Sequence, residues 1–481
     1  MYHFPPRLTS PMKALFLSSL LLVSITFAAE KPHIVLVMAD DQGWGQTGYN
    51  GHPQLKTPHL DAMAANGLRF NRFYAGASNC SPSRATVLTG RSNDRTGVQN
   101  HGYPLRLQEK TIAQALKAAG YATAHFGKWH LNGLRGPGVP VLASDTHHPG
   151  AFGFDHWLTV TNYFDRNPLL SRMGTFEDYE GDSSEVAMDQ AIDFLRKTAP
   201  DQPTFTIVWY GTPHDPMIAS EEDRAPFADL PEAYQHQYGE IVAMDRSIGA
   251  LRSALREIGV ADDTLVWYCS DNGGLAKFGP ETMGGLRGAK NTMYEGGLRV
   301  PGILEWPARI PKGRITDRPA GTVDIFPTLA EIVGLPEDAS LKPQDGISLV
   351  PLIDGDESER TSPLPFRHDG RGVLIGERYK ILKQKGKYEL YDLIGDPTES
   401  TNLIETEKEV AQEWIAAYEA WNGTVEDSVA GKDYPSGSVD PDQPERRFWL
   451  EDPAYQDYLD EFWKRPEYAN WKNRAKKLPK K

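Results

Sequence analysis

The sequence predicts an α/β fold: a large, mostly parallel sheet flanked by helices, with a smaller antiparallel sheet after it. Three observations predict it. Short apolar runs of strand length alternate with amphipathic stretches of helix length as far as Gly334. Two of the runs stop on polar pairs, Asp40-Asp41 and Asp271-Asn272, as strands do at the ligand face of an open parallel sheet. After Asp345-Gly346 the pattern changes to brief alternating segments with Lys-Gly turns, which suits antiparallel pairing.

The elements follow in order. Lys31 to Asp41 holds the run His33-Ile34-Val35-Leu36-Val37-Met38-Ala39, apolar on both faces like a central strand. Leu60 to Gly67 is helical and Leu68 to Tyr74 a strand. A helix opens at Cys80-Ser81-Pro82-Ser83-Arg84, with Ser81 suited to cap it and Pro82 to its first position. Cys80 then stands at the positive end of a helix dipole, where an anion is favoured. Thr111 to Gly120 is an amphipathic helix closed by glycine. Tyr121 to Trp129, Thr204 to Tyr210 and Thr264 to Ser270 are strands. Glu185 to Lys197 and Tyr234 to Ile258 are helices between them, and Asp324 to Gly334 closes the domain. Gly372 to Leu393 forms the small sheet, and Glu407 to Trp421 a helix packed on it. From Gly423 the chain is polar and Pro-rich, a surface tail studded with Phe448, Trp449, Tyr455, Tyr458, Phe462, Trp463 and Trp471. Such rings either stack on sugars or pack the tail onto the body.

At 481 residues the chain exceeds one ordinary core. The expected division is a signal peptide over 1–29, an α/β domain over 30–345, a subdomain over 346–425 and a tail over 426–481. The signal peptide is read from Met12-Lys13, the apolar run Ala14 to Ile25 and the small residues Phe27-Ala28-Ala29. The run is short for a membrane span, so export to the periplasm or beyond is expected, without stable membrane insertion. Formal net charge is −14, and losing a leader with Arg7 and Lys13 takes it to −16, which argues against nucleic acid as a partner. The two cysteines are Cys80 and Cys269. Cys269 lies in an apolar strand and is expected to be a free core residue, not a disulfide partner.

Asp40, Asp41, Asp271 and Asn272 would repel one another without a cation. All four are oxygen donors, so the ion is a hard one, calcium or magnesium. In Gly127-Lys128-Trp129-His130, alternation along a strand puts Lys128 and His130 on one face, an anion-binding and proton-transfer pair. His214 follows another strand in Thr212-Pro213-His214-Asp215-Pro216. Lys290 lies in the Gly-rich block from Gly288 to Pro301.

Cys80, Pro82 and Arg84, with Thr89-Gly90-Arg91 after them, match the signature of type I sulfatases, and the chain resembles that family over roughly residues 31–405. The Gly-Lys-Trp-His block, the His214 loop and the Lys290 block follow in family order. The resemblance implies an alkaline phosphatase/sulfatase-like fold and a formylglycine (3-oxoalanine) made from Cys80 by a maturation enzyme. It also implies calcium on Asp40, Asp41, Asp271 and Asn272, completed by residue 80 or the bound sulfate. In that scheme a hydroxyl of hydrated residue 80 attacks sulfur, and Arg84, Lys128 and Lys290 neutralise the sulfuryl oxygens. His214, with Lys290, protonates the departing alcohol, and His130 takes the proton that lets sulfate leave. The implied substrate is a sulfate ester of a sulfated carbohydrate. The alternatives are a phosphatase or phosphodiesterase of the same superfamily, or a non-catalytic binder of sulfated glycans if Cys80 stays a thiol. A further polar position after the Gly-Phe block falls on Thr159, Thr161 or Asn162.

Overall fold

The computed structural model describes residues 1–3 and 31–475. The expected signal peptide lies almost wholly outside them. From Pro32 onward the chain forms one compact unit. Its strands are β1 His33–Ala39, β2 Leu68–Tyr74, β3 Ala122–Lys128, β4 Leu134–Arg135, β5 His156–Val160, β6 Leu169–Arg172, β7 Thr175–Asp178, β8 Thr204–Trp209, β9 Thr264–Ser270, β10 Arg299–Glu305, β11 Arg314–Thr316, β12 Ala320–Gly321, β13 Leu364–His368, β14 Arg371–Ile375, β15 Tyr379–Gln384, β16 Lys387–Asp392 and β17 Arg447–Phe448.

The large sheet runs β11-β2-β10-β9-β1-β8-β3-β5-β6-β7, with β12 beside β2. Its centre, β9-β1-β8-β3-β5, is parallel throughout. Antiparallel strands occur at the flanks, where β10 joins β9 and β6 joins β5. Alternation along β1 divides the core between the two faces. Ile34, Leu36 and Met38 pack with Ala85, Val87 and Leu88 of the helix Cys80–Thr89 and with Ile325, Phe326 and Leu329 of the helix Ile325–Val333. Val35, Val37 and Ala39 face the opposite way, onto the helices Ser183–Thr198 and Glu232–Ile258. Both faces are therefore covered, as a parallel sheet requires. The loops after β1, β3, β8 and β9 emerge together at the carboxyl edge.

The predicted strands Leu68–Tyr74 and Thr264–Ser270 appear with those bounds. Thr111 caps the helix Ile112–Ala118: its Oγ1 accepts from the Gln114 N–H at 3.2 Å and donates to the Phe152 carbonyl at 2.6 Å. Thr111→Ala should therefore lower stability by about 1–2 kcal/mol, read as a shift in a chemical-unfolding midpoint.

Two expectations need correction. The helix at Cys80 starts two residues earlier than Ser81 as cap would have it: Cys80 is its first residue and Asn79 its cap, with no side-chain capping bond. Ser81 instead accepts from the Gly102 N–H at 2.8 Å, so it ties down a neighbouring loop. Pro82 is accommodated all the same, because the first turn's N–H groups have no partners within the helix. The second correction concerns the helix expected to stop at Trp421, which runs Lys408–Val429, through Gly423. Arg95 explains the extension, since it donates to the Thr424 carbonyl and to Ser428 Oγ, and Val425 is buried.

The four-stranded antiparallel sheet β13-β14-β15-β16 shares a core with the large sheet, where Val373, Ile375 and Leu382 meet Tyr74 and Leu298. Beyond it, Trp449, Tyr455, Phe462 and Tyr468 are buried against Leu134, Val139 and Leu169. β17 pairs in parallel with β4, matching Phe448 with Arg135. Most tail aromatics therefore pack. No helix among the described residues is long and apolar enough to cross a membrane.

Candidate active site

β1 delivers Asp40 and Asp41, both fully buried. The chain turns there with Asp41 at φ 69°, in the left-handed region. The Asp41 N–H donates to Asp271 Oδ1 at 3.2 Å, and Asn272 Nδ2 donates to Asp41 Oδ1 at 2.7 Å, so the ends of β1 and β9 are joined. After β9 a Cβ on Gly273 would lie 1.9 Å from the Gly296 carbonyl oxygen, so only glycine fits where the two loops cross.

β3 delivers Lys128 through Gly127, whose φ is 94° and whose Cβ position lies 2.0 Å from the Trp209 carbonyl oxygen. Lys128 Nζ donates to Asp40 Oδ2 at 2.5 Å. His130, at φ 57°, is buried, and neither ring nitrogen has a hydrogen-bond partner. Asp41, His130 and Asn291 are all non-glycine residues with positive φ. Such conformations cost about 1–3 kcal/mol each and persist where the surroundings over-determine them.

Arg84 projects from the helix that begins at Cys80. Its guanidinium donates to Asp271 Oδ2 at 2.7 Å and to the Lys128 carbonyl at 3.1 Å, and lies 5.0 Å over the Trp209 ring. Lys290 Nζ reaches Asp41 Oδ1 at 2.6 Å. His214 Nε2 is 3.8 Å from Asp41 Oδ2, its Nδ1 pairs with the Asp215 carbonyl oxygen at 2.6 Å, and its ring stacks on Tyr163 with centroids 4.7 Å apart. Ligand atoms of Asp40, Asp41, Cys80 and His214 lie within 4.8 Å of one another. The structure thus adds His214 to the neighbourhood of the carboxylates, brings Cys80 there too, and ties Asp271 to Arg84.

Charges explain the local protonation. Burial raises Asp40, but Lys128, His214, Arg84 and Lys290 overcome it and hold the carboxyl far below the usual range. Asp271 is pushed up to about 7 by burial and by Asp40, which outweigh Arg84 and Lys128. Burial pushes the Cys80 thiol up to about 12 in spite of Lys128 and Lys290. Cys80 does open its helix, as the sequence places it, but burial disfavours ionisation of its unmodified thiol, which makes that thiol a poor nucleophile at neutral pH. His214 falls to about 4 and His130 well below its ordinary value, both chiefly through burial.

The donor set fits a hard cation. Asp40 Oδ1 and Asn272 Oδ1 are buried oxygens with no hydrogen-bond partner. Three carboxylates and an amide meet at the neighbouring strand ends, and the burial strain on Asp271 is of the kind a positive ion relieves.

A cavity of about 370 Å³ opens over Cys80, His130, His214 and Lys290. Of the three undecided positions, Asn162 lines it and donates to the Gly136 carbonyl at 2.7 Å. Thr159 and Thr161 are buried, and Thr161 accepts from the Val139 N–H. Sequence reasoning missed Tyr163, Arg135 and Asn291 in the lining, and left open the roles of Phe448 and Trp471, which line it too. Tyr163 had a signal, since it lies just past a strand end. Arg135, on the two-residue strand β4, carried none, and Asn291 stands beside Lys290 in the Gly-rich block.

A helix-borne side chain set against basic groups at the carboxyl edge of a parallel sheet defines a site for an anionic ester. The sulfatase family profile matches residues 32–335, and that of the C-terminal region of N-sulphoglucosamine sulphohydrolase matches 288–416. The chain is 33% identical over 390 residues to N-acetylgalactosamine-6-sulfatase of Canis lupus familiaris, covering 73% of this chain and 72% of that protein. It is 33% identical over 382 residues to arylsulfatase A of Homo sapiens, covering 68% of each. The solved structure of Ps i-CgsB with k-i-k-neocarrahexaose is similar at TM-score 0.74 and 25% identity, over 86% of this chain and 96% of that one. The structure of BT4656 with D-glucosamine-2-N,6-O-disulfate shares the fold at TM-score 0.68 and 20% identity, over 83% and 99%. The chain belongs to the sulfatase family of the alkaline phosphatase superfamily and is a sulfuric ester hydrolase.

Proposed function

We propose that this enzyme removes sulfate from sulfated carbohydrates, using a formylglycine formed from Cys80 and a calcium ion held by Asp40, Asp41, Asp271 and Asn272. The observation that carries this reading is Cys80 on the first turn of its helix, with Asp40, Asp41 and His214 inside 4.8 Å. The names of the relatives, and the sugar ligands of the similar structures, support a carbohydrate as the substrate. Export and dependence on a maturation enzyme follow from the leader motif and from the need to convert Cys80.

When present, the two groups supply a hydrated aldehyde nucleophile with a second hydroxyl and a cation that favours its ionised form. The remaining work falls to side chains in place. Arg84, Lys128 and Lys290 bring three positive charges to the sulfuryl oxygens. His214, on the open side of the cavity, is placed to give a proton to the departing alcohol. A bound anionic ester raises the affinity of its ring for that proton, and Lys290 is near enough to assist. His130 is buried, neutral and unpartnered at both nitrogens, which suits a base that accepts a proton from residue 80.

Peptide mass spectrometry of residue 80, beside activity before and after chelation, tests the proposal. The active protein should carry an aldehyde at position 80, lose most activity with EDTA, and regain it with calcium better than with zinc. Full activity with an unmodified thiol and bound zinc would favour the phosphatase alternative, and an unconverted, inactive protein that binds sulfated glycans would favour the binder.

A further inference from the structure

Arg135 lines the cavity and Arg446 stands behind its lining residue His101; among the described residues no acid neutralises either arginine. Arg135 lies opposite Phe448 in the β4–β17 pairing, with its guanidinium 4.1 Å over the Phe448 ring. Phe448 in turn tilts against Trp471 with centroids 5.6 Å apart. All three line the cavity that holds Cys80 and Lys290. Among the described residues no carboxylate forms an ion pair with Arg135, and its Nε is buried without a hydrogen-bond partner. Arg446 donates to the His101 carbonyl at 2.7 Å, lies 3.1 Å from His101 Nε2 and sits over Tyr103, again with no carboxylate partner among the described residues.

The molecule as a whole is acidic. Its chain has 65 acidic residues against 51 basic ones. Arg84, Arg91 and Arg95 are paired with the acids Asp271, Glu109 and Asp345, while the buried Arg72 and Arg106 spend their donors on carbonyl and hydroxyl oxygens. Burial and the charge of Arg135 push Arg446 below the ordinary guanidinium value. His101, lowered to about 4 by burial and then by Arg446 and Arg135, stays neutral at physiological pH. A cation lining a cavity with a second cation behind it is stabilised when an anion arrives from outside.

We propose that this wall is a second anion subsite: Arg135, backed by Arg446, binds an acidic group on the same substrate whose sulfate ester reaches residue 80, while a sugar ring lies against Phe448 and Trp471. The inference rests on the reading of the cavity as the sulfate-ester site. It narrows the substrate to a saccharide with two anionic groups. The second is a sulfate or a uronate carboxylate, since a guanidinium fork receives either.

The test compares kcat/KM of the matured full-length enzyme and Arg135→Gln on four substrates. These are an aryl sulfate, a monosulfated hexosamine, a disulfated hexosamine, and a monosulfated disaccharide containing a uronate. Wild type should prefer at least one doubly charged saccharide over the monosulfated one. Arg135→Gln should lower kcat/KM on that substrate by about tenfold or more, chiefly through KM, with less than about a threefold loss on the monosulfated sugar. Loss confined to the disulfated sugar identifies a sulfate in the subsite, and loss confined to the uronate identifies a carboxylate. Arg135→Lys should keep part of the preference. Should Arg135→Gln not fold, wild-type KM for the doubly charged substrate should still rise more steeply with salt than KM for the singly charged one. Equal losses on singly and doubly charged sugars, or parallel salt dependence, would overturn the proposal. A matured enzyme that cleaves none of the four, the aryl sulfate included, would instead count against the parent reading.

Discussion

Cys80→Ala is expected to reduce hydrolysis of every sulfate ester to background while the protein stays folded. Cys80 is 3% exposed and opens a helix, so alanine, the best helix former, replaces it at little cost to the backbone. The change deletes the sulfur and with it any aldehyde derived from it. The neighbours do not compensate, because Asp40, Asp41 and His214 converge on this side chain and no other nucleophile completes the cluster among the described residues. Activity on an aryl sulfate, measured beside a thermal unfolding curve, checks it. Retained turnover in the alanine variant would remove residue 80 from the chemistry altogether.

Lys128→Ala and Lys290→Ala should each lower kcat/KM by about a hundredfold or more, or ~3 kcal/mol, the scale for removing one preorganised charge-stabilising donor. The chain's net charge of −14 opposes an anionic substrate, so a positive pocket has to be built locally. Lys128 and Lys290 supply it while bonded to Asp40 and Asp41. Losing Lys128 also leaves Asp40 buried with Arg84 at 3.7 Å as its nearest remaining ion-pair partner, so that variant should be the less stable of the two. Rates on an aryl sulfate and unfolding midpoints of both variants give the comparison. A loss below threefold in either would mean its ammonium serves the carboxylates and not the substrate.

Much of the architecture was legible because it is written locally. Short continuous apolar runs marked the central strands, and period-3.6 patterns the helices on both faces. The rule that ligands gather at the carboxyl edge of a parallel sheet then placed Asp40, Asp41, Lys128, His130, His214, Asp271 and Asn272 together before any coordinates. What misled was also local. Ser81 looks like a cap in the string Cys80-Ser81-Pro82, but its oxygen is taken by the Gly102 N–H. Gly423 looks like a helix end, but Arg95, far away in the chain, holds the helix beyond it.

By itself the sequence determined the α/β class, the set of residues at the strand ends and the family signature around Cys80. Each depends on neighbours a few residues apart, whose order the chain states directly. The tertiary structure alone decided that residue 80 is buried where an unmodified thiol resists ionisation, that Asn162 and not Thr159 or Thr161 lines the cavity, and that the tail brings Phe448 and Trp471 to its mouth beside Arg135. Those outcomes depend on desolvation and on pairing between distant segments, such as β4 with β17. Neither burial nor long-range pairing leaves a period in the sequence to read.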